Sequence, residues 1–161
     1  MSIGTKILNK IVSLAQATGG QVEGNKDVTD EMKNLARTTA EEGVVMLIND
    51  GALPLSENDV VAVFGRVQND WFYGGYGSGG DVKPPYKVNL IEGLENEGVK
   101  IDETLKKIYA DWSVKNVPYE GFWGHWPFHF DEMPLSDKVV GEAAKRANKA
   151  IVVIGRAAGE D

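Results

Sequence analysis

The chain has 161 residues, 42% of them apolar and 25% charged, with no cysteine and a net charge of −7. That is one domain's length with enough apolar content for a real core, and the acidic balance argues against a nucleic-acid backbone as partner. The absence of cysteine excludes disulfides and thiolate chemistry and fits a reducing cytoplasm.

No apolar run is long enough to span a bilayer, so no membrane partner is expected. Met1–Leu8 lacks the apolar core and cleavage site of a signal peptide. Ile3, Ile7, Leu8, Ile11, Val12 and Leu14 recur at helical spacing, and the pattern stops at Gly19-Gly20. Residues 1–28 thus read as an N-terminal helical segment, and 29–161 as an α/β domain. Thr29 can cap a second helix, with Asp30 and Glu31 in its positive first turn. Met32, Leu35, Ala36, Thr39, Ala40 and Gly43 form its inner stripe. Val44–Ile48 is β-rich, so a strand is expected to begin there, before the Asn49-Asp50-Gly51 turn signal.

Val60-Val61-Ala62-Val63-Phe64 is a short, nearly continuous apolar run, the pattern of a parallel strand buried on both faces. It feeds Gly65-Arg66 and then Trp71–Asp81, where five glycines fall within residues 74–80. Glycine there allows close approach of another surface, and the carboxyl end of such a strand is where open α/β sheets place ligands. Pro84-Pro85 forces an extended path. Asn89 can cap a short helix with Ile91 and Leu94 inward, closed by Gly98. Val99-Lys100-Ile101 is then a short strand, reached by a crossover expected to be right-handed.

Residues 102–112 read as helix. Residues 117–135, with three prolines and many aromatics, read as a long irregular excursion. Ser136 caps a last helix with Val139, Val140, Ala143, Ala144 and Ala147 inward. Ala150–Arg156 is expected as a second buried strand, and its end, Ile154-Gly155-Arg156, echoes Phe64-Gly65-Arg66. In a parallel sheet the echo puts Arg66 and Arg156 at one edge. The whole predicts a three-layer α/β/α sandwich with a mainly parallel sheet.

Gly75-Tyr76-Gly77-Ser78-Gly79-Gly80 spells a dinucleotide fingerprint, but it sits well past the strand and runs into prolines instead of a helix, so no nucleotide cofactor is expected. His125 and His129 lack the further ligands of a zinc site. No serine elbow or cysteine nucleophile is present. The aromatic excursion reads either as a lid packed on the sheet edge or as a platform for sugar faces. Glu160 and Asp161 read either as a solvated terminus or as carboxylates for acid/base work.

Leu35–Leu55, with Ala40-Glu41-Glu42-Gly43-Val44-Val45-Met46-Leu47 leading to Asn49-Asp50-Gly51-Ala52-Leu53-Pro54-Leu55, resembles the opening of the sandwich domain of family three glycoside hydrolases. Val61–Gly65, Gly77-Ser78-Gly79 and Ile151–Arg156 with Gly159-Glu160 continue that likeness in order, over roughly residues 33–161. The resemblance implies retaining hydrolysis of β-linked sugars by two carboxylates about 5–5.5 Å apart. It implies a nucleophilic aspartate on a separate barrel, supplied in cis by chain outside these residues. The position of Glu160 matches the family's acid/base glutamate. By the same likeness Arg66, Trp71, Tyr73, Tyr76, Ser78, Trp123, Trp126, Arg156 and Asp161 are candidates to wall the sugar site; the arginines can instead pair with acidic residues at the domain junction, and Trp71, Tyr73 and Tyr76 can instead bury against the barrel. The small N-terminal segment resembles the permuted branch, with sandwich before barrel. A chain ending at Asp161 reads as a fragment, inactive alone. A free-standing carbohydrate-binding or interaction module with no catalysis of its own is the rival reading, and a sandwich missing strands is expected to expose an unpaired edge that invites self-association.

Overall fold

A computed structural model describes residues 7, 10–11, 28–72, 86–119, 127 and 129–156. The chain divides into two compact units, Met1–Pro54 and Leu55–Asp161. In the first, Ile7, Lys10 and Ile11 are helical, and the rest of the expected first helix lies outside the described residues. Helix α1 spans Asp30–Gly43; Thr29 caps it by accepting a hydrogen bond from the Met32 N–H, with Asp30 and Glu31 in its first turn. Its apolar stripe was expected to face inward, yet the helix has no buried residue and Leu35 is 58% exposed. Val44–Ile48 differs too. The segment forms no strand, and Leu47 is 88% exposed. β-propensity makes a strand only where a neighbour accepts the ladder bonds, and none of the described residues does so. The following turn forms as expected: the Asn49 side chain accepts the Gly51 and Leu53 N–H groups.

The second unit holds a parallel sheet of three strands in the order β2-β1-β3: β1 Val60–Phe64, β2 Lys100–Ile101 and β3 Lys149–Val152. Between β1 and β2 runs α2, Leu90–Asn96, started by a capping box in which Asn89 and Glu92 bond each other's backbone N–H. Between β2 and β3 run α3, Glu103–Lys115, and α4, Asp137–Arg146, the latter capped by Ser136. Helices cover both faces of β1, the three-layer α/β arrangement. Val61 and Val63 point to one side, against Ile91 of α2 and Ile101. Ala62 points to the other, against Leu105 and Tyr109 of α3 and Ala143 of α4. Each fully buried valine or leucine there contributes about 1.5–3 kcal/mol, so β1 is the structural axis.

β3 was expected to be buried on both faces. Instead it alternates: Ile151 and Val153 pack on the α2-side cluster, while Val152 is 68% exposed and Ile154 89%. As the edge strand of the described sheet, it is covered on one face only. Of the expected inner residues of α4, Ala143 is buried and Val139 and Ala147 pack beside it, whereas Val140 and Ala144 are exposed.

Polar groups fix the ends of the strands. The Asn148 side chain accepts the Val60 N–H and donates to Asp59, whose other oxygen accepts the Ser56 N–H. Asp102 caps α3 through the Thr104 and Leu105 N–H groups and holds Arg146 by two bonds of 2.9 Å. Burial works against ionisation of Asp102, but the Arg146 bonds and the backbone donors outweigh it and hold the carboxyl below its ordinary range. Folding therefore lowers this pKa. The ion pair contributes fully above the unfolded value of 3.8, and its contribution is lost as pH falls through the lower folded value. Asp102→Asn is expected to cost about 2 kcal/mol near neutral pH. In acid-unfolding titrations the variant's deficit should shrink as pH drops below the ordinary carboxyl range; a constant deficit would contradict the assignment.

Candidate functional site

β1 is central, and the chain leaves it for β2 on one side and returns as β3 on the other. The carboxyl ends of β1 and β3 thus flank a point where strand order reverses, the place where open α/β sheets form a ligand crevice. Two glycines let the ends close together. Gly65 has φ +104°, and a Cβ on it would lie 2.2 Å from the Val153 carbonyl oxygen. A Cβ on Gly155 would lie 2.2 Å from a methyl of Val67. The pairing of Phe64 with Val152 explains the first contact, since Gly65 comes next, level with Val153; the second is made by Val67 in the turn that follows β1. The glycine-arginine echo is therefore two residues out of register, so the two arginines leave the sheet at different levels.

The Gly65 N–H donates to the Tyr109 hydroxyl oxygen at 2.9 Å, and burial pushes that phenol's pKa up, keeping it neutral. Next in the chain, Arg66–Gln68 form a 3₁₀ turn in which all three residues are buried. Gln68 donates both amide hydrogens, to the carbonyls of Val63 and Gly65. The Arg66 side chain is 3% exposed. Its Nε donates to Asp70, Nη1 to the Asp131 carbonyl and Nη2 to the Asn116 carbonyl, at 3.0, 2.7 and 2.7 Å. Its guanidinium lies 4.7 Å from the centre of the Trp112 ring and 5.7 Å from that of Phe130. Arg66 was expected either to orient sugar hydroxyls or to pair with acidic residues at the domain junction; it pairs instead with Asp70 of its own turn and with two backbone carbonyls. Sugar hydroxyls have no access to a guanidinium so enclosed.

Glu132 adds a second tie, accepting the Arg66 and Met133 N–H groups, each at 2.7 Å. Beside it opens an apolar cleft of about 300 Å³, lined by Phe64, Val67, Phe130, Leu135 and Ile154. Trp71 is 39% exposed, and Phe72 stacks on Phe130 with centroids 4.6 Å apart. Arg156 is exposed just past β3. Tyr73, Tyr76, Ser78, Trp123, Trp126, Glu160 and Asp161 lie outside the described residues. The structure therefore brings together the chain segments that precede and follow these candidates: residues 65–72, 129–135 and 153–156. Tyr109, Trp112 and Glu132 were not singled out from sequence, because no local pattern marks a side chain whose partner lies far along the chain. Among the described residues no group of three histidine, cysteine or acidic side chains could hold a metal ion. None of the described helices is long and apolar enough to cross a membrane.

The "Glycosyl hydrolase family 3 C-terminal domain" matches residues 44–161. This chain belongs to that family. A beta-glucosidase of Ruminococcus albus is 42% identical over 138 residues, which are 84% of this chain and 14% of the relative. Beta-glucosidase A of Butyrivibrio fibrisolvens is 34% identical over 143 residues, 86% of this chain and 17% of the relative. Among solved structures, a beta-glucosidase from Paenibacillus barengoltzii superposes with a TM-score of 0.78 at 38% identity, covering 83% of this chain and 15% of that one. Beta-glucosidase 3B from Thermotoga neapolitana, in complex with glucose, gives 0.72 at 37% identity, covering 81% and 18%. This family 3 chain thus spans less than a fifth of each of these relatives.

Proposed function

We propose that this chain is the sandwich-domain part of a retaining β-glycosidase acting on β-linked glucosides or short oligosaccharides. The observation that carries the reading is the family match over residues 44–161, which runs through the end of β3 and takes in Glu160. Retaining hydrolysis needs a nucleophilic carboxylate and an acid/base carboxylate about 5–5.5 Å apart. Glu160 is the acid/base, eight residues along the chain from the end of β3. The nucleophile comes from a barrel in cis, so this chain alone does not complete the pair. Trp71, Tyr73, Tyr76, Ser78, Trp123, Trp126, Arg156 and Asp161 wall the sugar site, the aromatic rings offering apolar faces and the polar groups binding hydroxyls.

The division into a helical segment before residue 29 and an α/β domain after it is part of this proposal, the sheet itself lying in the unit Leu55–Asp161, and the cysteine-free composition suits work in a reducing cytoplasm. No metal or organic cofactor is needed, since carboxylates perform the chemistry. The test is to follow hydrolysis of an aryl β-glucoside by the complete protein with NMR. Release of the β-anomer first is the expected result. First release of the α-anomer, or no cleavage, would overturn the proposal.

A further inference from the structure

The chain from Ala150 to Ile154 is apolar on both faces of the sheet, yet only one face is covered. Ala150, Val152 and Ile154 alternate with Ile151 and Val153, and all three are exposed. Ala150 pairs with Ala62 and Val152 with Phe64, which puts this outer row on the face that carries α3 and α4. There Val152 and Ile154 floor the cleft of about 300 Å³ walled by Phe64, Phe130 and Leu135. Natural edge strands ordinarily carry a charge, a proline or a bulge against further pairing. The outer row has neither charge nor proline. Apolar residues on both faces are instead the mark of a strand inside a parallel sheet.

The direction of the crossovers points to the same face independently. From β1 to β2 the chain steps to one side, and α2 lies on the face of Val61 and Val63. From β2 to β3 it steps the other way, and α3 and α4 lie on the opposite face. Reversing both the step and the face leaves the hand unchanged, as the right-handed rule for parallel connections requires. A further crossover of that hand beyond β3 continues in the second direction. Its helix therefore falls on the α3 and α4 face, over Val152 and Ile154.

We propose that Ala150, Val152 and Ile154 seat an amphipathic helix of the same polypeptide, and that the strand after it pairs in parallel on the outer edge of β3. The helix comes from the chain that follows residue 161 in the complete protein, so the inference rests on the reading above of this chain as part of a longer one. The relatives, of which it spans less than a fifth, have the length for it. A helix with apolar residues three and four apart presents the stripe that such a row needs. On this account the cleft is filled by protein and takes no sugar.

The test places the photo-crosslinking residue p-benzoylphenylalanine at Val152 of the complete protein and identifies the linked peptides by mass spectrometry. Linkage is expected to polypeptide within about thirty residues after Asp161, the length of one strand-helix-strand unit. Linkage to a second copy or to the distant barrel, or no linkage, would overturn the proposal. Should the bulky residue prevent folding, amide hydrogen exchange of the unmodified protein decides. The Val153 N–H points inward to the Phe64 carbonyl, so the Val152 N–H points outward, where a further strand would accept it. Its exchange is expected to be slowed about a thousandfold or more against an unstructured peptide; exchange at the unstructured rate would overturn the proposal. Hydrolysis of an aryl β-glucoside is read on the same preparation. The expected linkage without hydrolysis would defeat the proposed function and leave this inference standing.

Discussion

Gly65→Ala is expected to cost about 4 kcal/mol of stability, near the top of the range for a single substitution, and to lower the melting temperature by roughly 10 °C. Two effects add. The backbone at Gly65 has φ +104°, which side-chain-bearing residues rarely adopt and which costs them about 1–3 kcal/mol. The new methyl would also lie 2.2 Å from the Val153 carbonyl oxygen, a backbone atom that moves only if β1 and β3 part. The Gly65 N–H bond to Tyr109 would be strained with them. Two other glycines serve as controls. At Gly155 the obstacle is the side chain of Val67, which can shift, so alanine there should cost less. At Gly93 in α2 nothing lies within 4 Å, and alanine should stabilise by about 0.5–1 kcal/mol through helix propensity. Thermal unfolding of the three variants tests the ranking; equal melting temperatures for Gly65→Ala and Gly93→Ala would contradict it.

Glu160→Gln is expected to lower kcat on an aryl β-glucoside by about 10²–10⁴-fold, the usual contribution of a positioned acid/base, with the melting temperature unchanged. Glutamine keeps the shape of the side chain but neither gives nor takes the proton. The first step of a retaining reaction needs a proton on the leaving oxygen, and the second needs one removed from water. A glucoside whose phenol leaves readily as the anion needs little help in the first step, so its loss should be the smaller. The pH-rate profile should also lose the limb set by the free acid. Wild-type rates in Glu160→Gln would remove this residue from the chemistry.

Much of the fold was legible because its signals are local. Thr29, Asn89 and Ser136 cap the helices that their positions predict, since a side-chain oxygen two or three residues ahead of an orphan N–H acts without help from the rest of the chain. The apolar run at Val60–Phe64 identified the central strand because a strand buried on both faces has no polar alternation to hide it. The same pattern misled at Ala150–Ile154, where β3 lies at the edge and an apolar outer face goes uncovered. It misled again at Val44–Ile48, where propensity met no ladder partner among the described residues.

The site was legible as a location more than as a set of contacts. Gly65 and Arg66 could be placed at a strand end, but which way the guanidinium turns depends on Trp112, Asn116 and Asp131, which only the tertiary fold brings near. The role of Tyr109 as acceptor for the Gly65 N–H depends likewise on α3 crossing the end of β1. Neither has a sequence signature.

The most direct test is hydrolysis of an aryl β-glucoside by this 161-residue chain alone and by the complete protein that carries it. The half-site account predicts cleavage by the complete protein only, since one carboxylate without its partner cannot run the two-step reaction. Cleavage by the isolated chain would mean that both carboxylates reside within these residues, and would contradict it.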